Sequence, residues 1–87
     1  MNPLIGQLTR PATIHETLDS ICCELRILVD EGPHEHRFED VVLFLERVEE
    51  TRLPEVGEEI EIRDPLAIGR RGRTVLLADP ASVRVLG

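Results

Sequence analysis

The side chains of this sequence with the widest chemistry are three histidines and two cysteines, His15, His34, His36, Cys22 and Cys23. Imidazole nitrogens and thiolates bind Zn²⁺, but a metal site needs three or four such ligands converging at fixed distances. The His-Glu-His run would present two imidazoles on one side of a loop, and no spacing brings a cysteine to them. We therefore predict solvated histidines, no metal and no cofactor.

The two cysteines are adjacent in the sequence. Neighbouring side chains point to opposite sides of a strand, which is poor geometry for a mutual disulfide. Two cysteines also do not make a disulfide framework. We predict that both are reduced and structural, as in a reducing compartment.

The acidic residues show no catalytic pattern. Paired catalytic acids need different environments that move their pKa values apart, whereas Glu58, Glu59 and Glu61 resemble the solvated face of a strand. The Gly-Arg-Arg-Gly-Arg run at residues 69–73 lacks the Gly-Lys-Ser/Thr ending of a P-loop and the glycine spacing of a dinucleotide fingerprint. The chain is therefore predicted not to be an enzyme.

That run is nevertheless the strongest local charge feature, because Arg70, Arg71 and Arg73 stand together on an acidic chain. An exposed arginine cluster favours carboxylates on a partner, or occasionally phosphates. The three residues are candidates for a partner interface. A solvated hairpin tip is the alternative.

The length and composition indicate one small domain with a marginal hydrophobic core. The chain has 87 residues, a formal net charge of −7 and two phenylalanines as its only aromatic residues. The negative charge argues against sequence-specific nucleic-acid binding, and the scarcity of large rings favours a subunit stabilised by its neighbours. No segment resembles a signal peptide or a membrane span, so we expect a soluble protein without membrane contact.

The first half of the chain carries two incompatible periodicities. One set of apolar residues has the steps of four and three of an amphipathic helix: Ile14, Leu18, Ile21, Leu25 and Leu28. A second set alternates with polar residues, as in a strand: Cys23, Leu25, Ile27 and Val29. Residues 38–48 are ambiguous in the same way. The last third is clearer, because residues 60–62, 74–78 and 83–86 read as short strands separated by turn signals.

Topology favours strands throughout. Two helices followed by a small meander would leave a sheet with bare edges, whereas five or six strands can curl into a barrel. We predict a mainly β fold, a small antiparallel β-barrel of five to six strands over residues 12–87, preceded by an N-terminal arm at residues 1–11. Residues 31–37 then form a polar hairpin loop. The alternative is an α+β fold with two N-terminal helices and a small sheet.

Four short segments resemble the small head-completion proteins of long-tailed bacteriophages, also called head-closure or head-to-tail stopper proteins. They are Leu-Thr-Arg-Pro-Ala-Thr-Ile at residues 8–14, Cys-Glu-Leu at 23–25, Val-Val-Leu-Phe-Leu at 41–45 and Pro-Glu-Val-Gly-Glu-Glu-Ile-Glu-Ile at 54–62. The resemblance implies a small barrel whose subunits form a ring, six-fold or matched to the portal, around a DNA channel.

The resemblance also implies a function and a set of partners. The chain would be a non-enzymatic structural protein of the virion neck, assembled in the host cytoplasm. It would contact the portal or adaptor protein on one side and a tail terminator or tail-tube protein on the other, while DNA passes without sequence-specific binding. The candidates for a loop facing the channel or the next ring are Glu31, His34, Glu35, His36 and Arg37.

Two other functions stay open on the residues alone. A small SH3-like or OB-like barrel would be a cellular binding module that acts as an accessory subunit or regulator. If the first two segments were helices, an acidic inhibitor that mimics nucleic acid would be a third possibility.

Overall fold

A computed structural model describes residues 3–32, 35–45 and 53–86 of the chain. Their strands are β1 Leu4–Leu8, β2 Thr13–Glu16, β3 Ile21–Gly32, β4 Glu35–Leu45, β5 Glu59–Ile62, β6 Leu66–Arg70, β7 Arg73–Ala78 and β8 Val83–Val85. A single 3-10 turn, Pro80–Ser82, is the only helical segment within these ranges. The prediction of a mainly β fold is confirmed, and the alternative with two N-terminal helices is wrong.

Strand β3 resolves the ambiguity of the first half. Its odd-numbered residues from Cys23 to Val29 are buried, while its even-numbered residues face the outside. Leu18, a member of the apparent helical stripe, lies in the loop before β3 and is fully exposed. The helical spacing is therefore a coincidence between apolar residues of a loop and of two strand faces.

The strands form one sheet in the order β6-β7-β4-β3-β1-β5-β8, and β2 pairs with β3 beside β1. Every ladder is antiparallel except the one between β4 and β7, which is parallel. Strands β7 and β8 lie near opposite ends of this order and are joined directly by the 3-10 turn. The chain itself therefore brings the two ends of the sheet together, and the barrel stays partly open.

The 3-10 turn that makes this connection is capped by Asp79. Its carboxylate accepts a hydrogen bond from the Ala81 N–H at 3.0 Å, and Ser82 Oγ donates to the Asp79 carbonyl at 2.6 Å. Pro80 occupies the first position of the turn, where its missing N–H leaves no donor unsatisfied. These contacts direct the chain from β7, which pairs with β4, to β8, which pairs with β5.

The barrel interior is aliphatic. Its most deeply buried side chains come from four strands: Leu8, Cys23, Leu25, Ile27, Val41, Leu43, Ile60 and Ile62. Gly6 lets β1 approach β3 closely, because a Cβ at this position would lie 2.8 Å from the Leu28 carbonyl oxygen. Neither phenylalanine contributes to this core: Phe38 is 54% exposed and Phe44 51% exposed.

Three details differ from the sequence-based prediction. The predicted arm contains β1, which pairs with both β3 and β5 and so lies within the sheet. The predicted hairpin loop at residues 31–37 is mostly strand, since β3 continues to Gly32 and β4 begins at Glu35. Strand β6 lies where only turn signals were recognised. Strand β1 pairs with segments that are distant in sequence, which local residues do not reveal, whereas β6 and the ends of β3 and β4 belong to hairpins that extend into the turn-forming residues.

No helix in the described ranges has the length and apolar character needed to cross a membrane.

Candidate functional site

The outer surface of β3 and β4, here called the β3–β4 face, carries both aromatic residues of the chain. Strand register places Phe38 opposite Leu28, Asp40 opposite Arg26 and Phe44 opposite Cys22. An exposed phenylalanine forgoes about 1.5–3 kcal/mol of burial free energy. It is therefore unusual that the only two aromatic residues of the chain lie half-exposed on one side of one hairpin.

Arg26 lies at the centre of this face. Its Nη1 donates to both carboxylate oxygens of Asp40, at 3.1 and 3.3 Å. Its guanidinium carbon lies 4.7 Å from the centroid of the Phe38 ring, within the range of a cation–π contact. Arg26 and Phe38 therefore form one continuous surface that combines an aromatic ring with a positive charge.

The β6–β7 hairpin folds over the same face. Its two turn residues, Arg71 and Gly72, have φ angles of 51° and 81°, and positive φ at both central residues defines a type I′ turn. Behind the turn, Val75 packs against Cys22 and Val42 on the outer side of the sheet. This small cluster holds the hairpin tip against β4, and Arg73 Nη1 comes within 3.4 Å of Asp40 Oδ2.

A pocket of about 420 Å³, its open mouth included, lies between the hairpin and the face. Its apolar lining includes Val42 and Val75, and its charged lining consists of Glu24, Asp40, Arg71 and Arg73. With Arg26 added, three arginines meet two carboxylates here. The local charge is thus slightly positive on a chain whose net charge is −7.

The β2–β3 loop, residues 17–20, extends this surface at the other end. The Thr17 N–H donates to the Ser20 carbonyl at 2.8 Å, and the Ser20 N–H donates to Thr17 Oγ1 at 3.1 Å. The closed loop holds Leu18 fully exposed at its tip. An open groove, which Leu18 and Phe44 both line, lies between the loop and the end of β4.

Two of the predicted interface arginines, Arg71 and Arg73, are brought to the β3–β4 face. The backbone of Arg70 pairs with Arg73 at the hairpin turn, and its side chain lies outside the described part of the structure. Four other residues of this face were not predicted from the sequence as site residues: Arg26, Phe38, Asp40 and Phe44. The signal was present, because residues 38, 40 and 44 have the opposite parity to the buried residues 41, 43 and 45.

The described members of the second candidate set lie away from this face. His36 Nδ1 lies 3.5 Å from Asp30 Oδ1, and Arg37 Nε lies 2.9 Å from Glu39 Oε1, both at the far end of the hairpin. Glu35 is exposed. His34 and the side chain of Glu31 lie outside the described residues. No three potential metal ligands cluster anywhere in residues 3–32, 35–45 and 53–86.

The cysteines are both free, as predicted, and both are buried. Burial raises the pKa of the Cys23 thiol to about 11, and the neighbouring Cys22 and Glu24 add to the shift. Because the thiolate is the nucleophilic form, Cys23 is unsuited to nucleophilic chemistry. Cys22 packs on the opposite side of the sheet, beneath the hairpin.

No protein family matches this sequence, and no curated protein does either. A solved structure of similar shape is the N-terminal domain of PriB from Thermoanaerobacter tencongensis, described as dimeric. The match covers 98% of this chain and 93% of that one, with a TM-score of 0.72 and 17% sequence identity. The chain has an OB-type fold. An OB fold is a partly open, five-stranded Greek-key barrel.

The OB fold's five strands correspond to β1 with β2, β3, β4, β5 with β6, and β7 with β8. The loop at residues 17–20 then connects OB strands 1 and 2, and the turn at Arg71 and Gly72 connects OB strands 4 and 5. OB folds bind ligands on the face of strands 2 and 3 and on these two loops. The exposed phenylalanines and the arginine hairpin of this chain lie on that surface.

The resemblance to phage head-completion proteins is wrong, since the chain matches the structure of the PriB domain, which is not a head-completion protein. The portal, adaptor and tail partners lose their support with it. The four sequence segments that suggested the resemblance are short strands and turns. Alternating apolar residues and turn formers recur in small β-barrels of many families, because the same backbone geometry requires them.

Proposed function

We propose that this chain is a non-catalytic OB-type binding module that holds a short single-stranded nucleic acid on its β3–β4 face. The observation that carries the proposal is the exposure of Phe38 and Phe44 on that face, on either side of the arginine hairpin tip. Single-strand-binding OB folds combine aromatic stacking platforms with a positively charged groove. The β3–β4 face has both features, with two phenylalanine rings and three arginines.

The spacing of the two rings suits a single strand. They lie six residues apart on β4, and at about 3.3 Å per residue this is about 20 Å. Stacked nucleotides advance by about 3.4 Å each, so a strand lying along β4 would cover both rings with about six nucleotides. This length falls within the roughly 4–16 nucleotides that one OB fold binds.

The electrostatics favour stacking over phosphate contacts. Arg26 and Arg73 both contact Asp40, which leaves little uncompensated positive charge, and the whole chain repels phosphates. We therefore expect about two phosphate contacts and a shallow salt dependence, with log K changing by about −1.4 per decade of salt. This agrees with the net charge of −7, which indicates that the chain has no broad positive surface for binding phosphates.

The proposal includes association between copies of this chain, without a fixed number of subunits. The similar PriB domain is described as dimeric, which supports association between copies and lends no support to a six-fold ring. Where the protein is located, in a virion or in a cell, stays a prediction.

The test is fluorescence anisotropy of a labelled twelve-residue oligothymidylate titrated with the wild-type protein, F38A and F44A. Each loss of a stacking ring should weaken binding by about 5- to 150-fold, which corresponds to about 1–3 kcal/mol per base. The matched control is V56A, because Val56 is 53% exposed and lies in the connection between β4 and β5. V56A should bind like the wild type.

Two outcomes would contradict the proposal. One is the absence of binding by folded wild-type protein at low salt. The other is binding by F38A and F44A with wild-type affinity. Because exposed aromatic residues beside arginine are also typical of protein interfaces, either outcome would favour a protein ligand for the same face.

A further inference from the structure

Three strands in the described part of the chain pair on one side only: β2, β6 and β8. Unpaired edges invite pairing with other chains unless charge, proline or short length prevents it. Strand β2 carries His15 and Glu16, and β8 has three residues with Arg84 at its centre. Strand β6 has five residues, and the first four, Leu-Ala-Ile-Gly, are uncharged. It is the least protected of the three edges.

The register of the β6–β7 hairpin shows which backbone groups face outward. Arg70 pairs with Arg73 directly beside the two-residue turn, so these residues exchange hydrogen bonds. Because hydrogen-bonding direction alternates along a strand, the backbone groups of Ile68 and Leu66 also point towards β7. The N–H and C=O groups of Ala67 and Gly69 therefore point away from the sheet.

We infer that a second copy of this chain pairs with the first through β6, antiparallel and about a two-fold axis at Ile68. In this register Ala67 lies opposite Gly69 of the partner subunit, and Gly69 lies opposite Ala67 of the partner subunit. Every outward-facing backbone group of the two residues is then satisfied. The inference concerns the opposite edge of the hairpin from the proposed nucleic-acid surface and does not depend on that function.

The edge fits a second copy because it is self-complementary. Pro65 has no N–H at the next outward position, so the ladder ends there. Leu66, which is 61% exposed, would lie diagonally across from Ile68 of the partner subunit and lose solvent contact. At Gly69 a Cβ would meet nothing within 4 Å, so the space beside the strand on this face is open.

Charge also favours the antiparallel arrangement. Asp64 precedes β6 and Arg71 follows it, so a two-fold axis at Ile68 brings the Asp64 end of one strand to the Arg71 end of the other. A parallel arrangement would place like charges together. Two five-residue strands bury little area, so we expect a weak dimer with a dissociation constant in the range of about 10–200 µM.

Sedimentation velocity of the full chain without nucleic acid tests this inference, with protein from about 5 µM to 1 mM. The wild type should shift from monomer to dimer across this range. A67P removes an outward N–H at a position where an edge strand tolerates proline, and A67K adds an edge charge. Both variants should stay monomeric while keeping the wild-type circular dichroism spectrum. T13K, on the β2 edge, is the matched control and should dimerise like the wild type.

The inference is overturned if the wild type stays monomeric at 1 mM, or if folded A67K dimerises as well as T13K. A cross-linking experiment tests the register. A67C mixed with G69C should form an intermolecular disulfide several times faster than either variant alone, and the native cysteines are buried and should not compete. Equal cross-linking of A67C with itself would overturn the two-fold axis at Ile68.

Discussion

The guanidinium of Arg26 lies over the ring of Phe38, 4.7 Å from its centroid, while the same side chain bonds Asp40 on the neighbouring strand. The ring, the cation and the carboxylate thus restrain one another across the β3–β4 hairpin. Because these side chains are already ordered, they lose less conformational entropy when a ligand stacks on the ring.

Replacing Arg26 with alanine should weaken oligothymidylate binding by about 5- to 10-fold, since the ligand loses a cation beside the stacking ring. The free energy of unfolding should fall by about 1 kcal/mol or less, because the ion pair with Asp40 is partly exposed. R63A is the matched control, as Arg63 pairs with Glu61 on a different strand. Anisotropy measures the affinity. Equal affinities for R26A and R63A would remove Arg26 from the site.

Replacing Asp40 with asparagine should strengthen oligothymidylate binding. The change removes a carboxylate that both Arg26 and Arg73 contact, and it frees their guanidinium groups to meet phosphates. We expect about 3- to 10-fold higher affinity at low salt and a steeper salt dependence. E61Q, outside the face, is the control. Weaker binding by D40N would mean that Asp40 itself contacts the ligand or holds the arginines in place.

Gly6 to alanine should destabilise the barrel, because the new Cβ would lie 2.8 Å from the Leu28 carbonyl oxygen and would separate β1 from β3. We expect a loss of about 2 kcal/mol and a fall in melting temperature of about 8–16 °C. Circular dichroism melts measure both quantities. G69A is the control, since its Cβ meets nothing within 4 Å. A melting temperature unchanged in G6A would show that β1 is not closely packed.

The free energy of unfolding should decline as the pH rises from about 9 to about 11. The folded state holds the Cys23 proton up to its raised pKa of about 11, whereas the unfolded chain loses that proton near 9. The unfolded state therefore binds fewer protons in this window, and alkali favours it. The chain contains neither lysine nor tyrosine, so few other groups titrate there.

Urea unfolding at several pH values measures this decline in the wild type, C23A and C22A. C23A should lose most of the pH dependence, although its stability at neutral pH should be lower because of the cavity that the change leaves. C22A should keep the pH dependence. The same slope in all three proteins would assign the effect to groups other than Cys23.

Much of the strand pattern was predictable from local sequence. Residues 60–62, 74–78 and 83–86 alternate or run apolar between turn signals, and β5, β7 and β8 lie at these positions. The inward positions of β3 follow from the alternation of Cys23, Leu25, Ile27 and Val29. The solvent-facing rings were predictable in principle as well, because Phe38 and Phe44 fall on the opposite parity to Val41 and Leu43.

Other features depended on partners that are distant in the chain. Residues 14–28 suit a helix as well as a strand, and only the ladder between β3 and β4 decides for the strand. The parallel pairing of β4 with β7 likewise cannot be recognised from local sequence. The same is true of the position of β1 between β3 and β5. The resemblance to a phage family failed for the same reason, because short strand and turn segments do not specify which strands pair.

The sequence by itself determined the alternation of buried and exposed residues, the unpaired cysteines and the turn at Arg71 and Gly72, because each depends on neighbouring residues alone. Only the tertiary structure decided that Arg73 and Arg26 meet at Asp40 between two exposed rings. That meeting requires three strands in a particular order and register. Hydrogen bonds between strands distant in sequence set this order and register, and local propensity does not encode it.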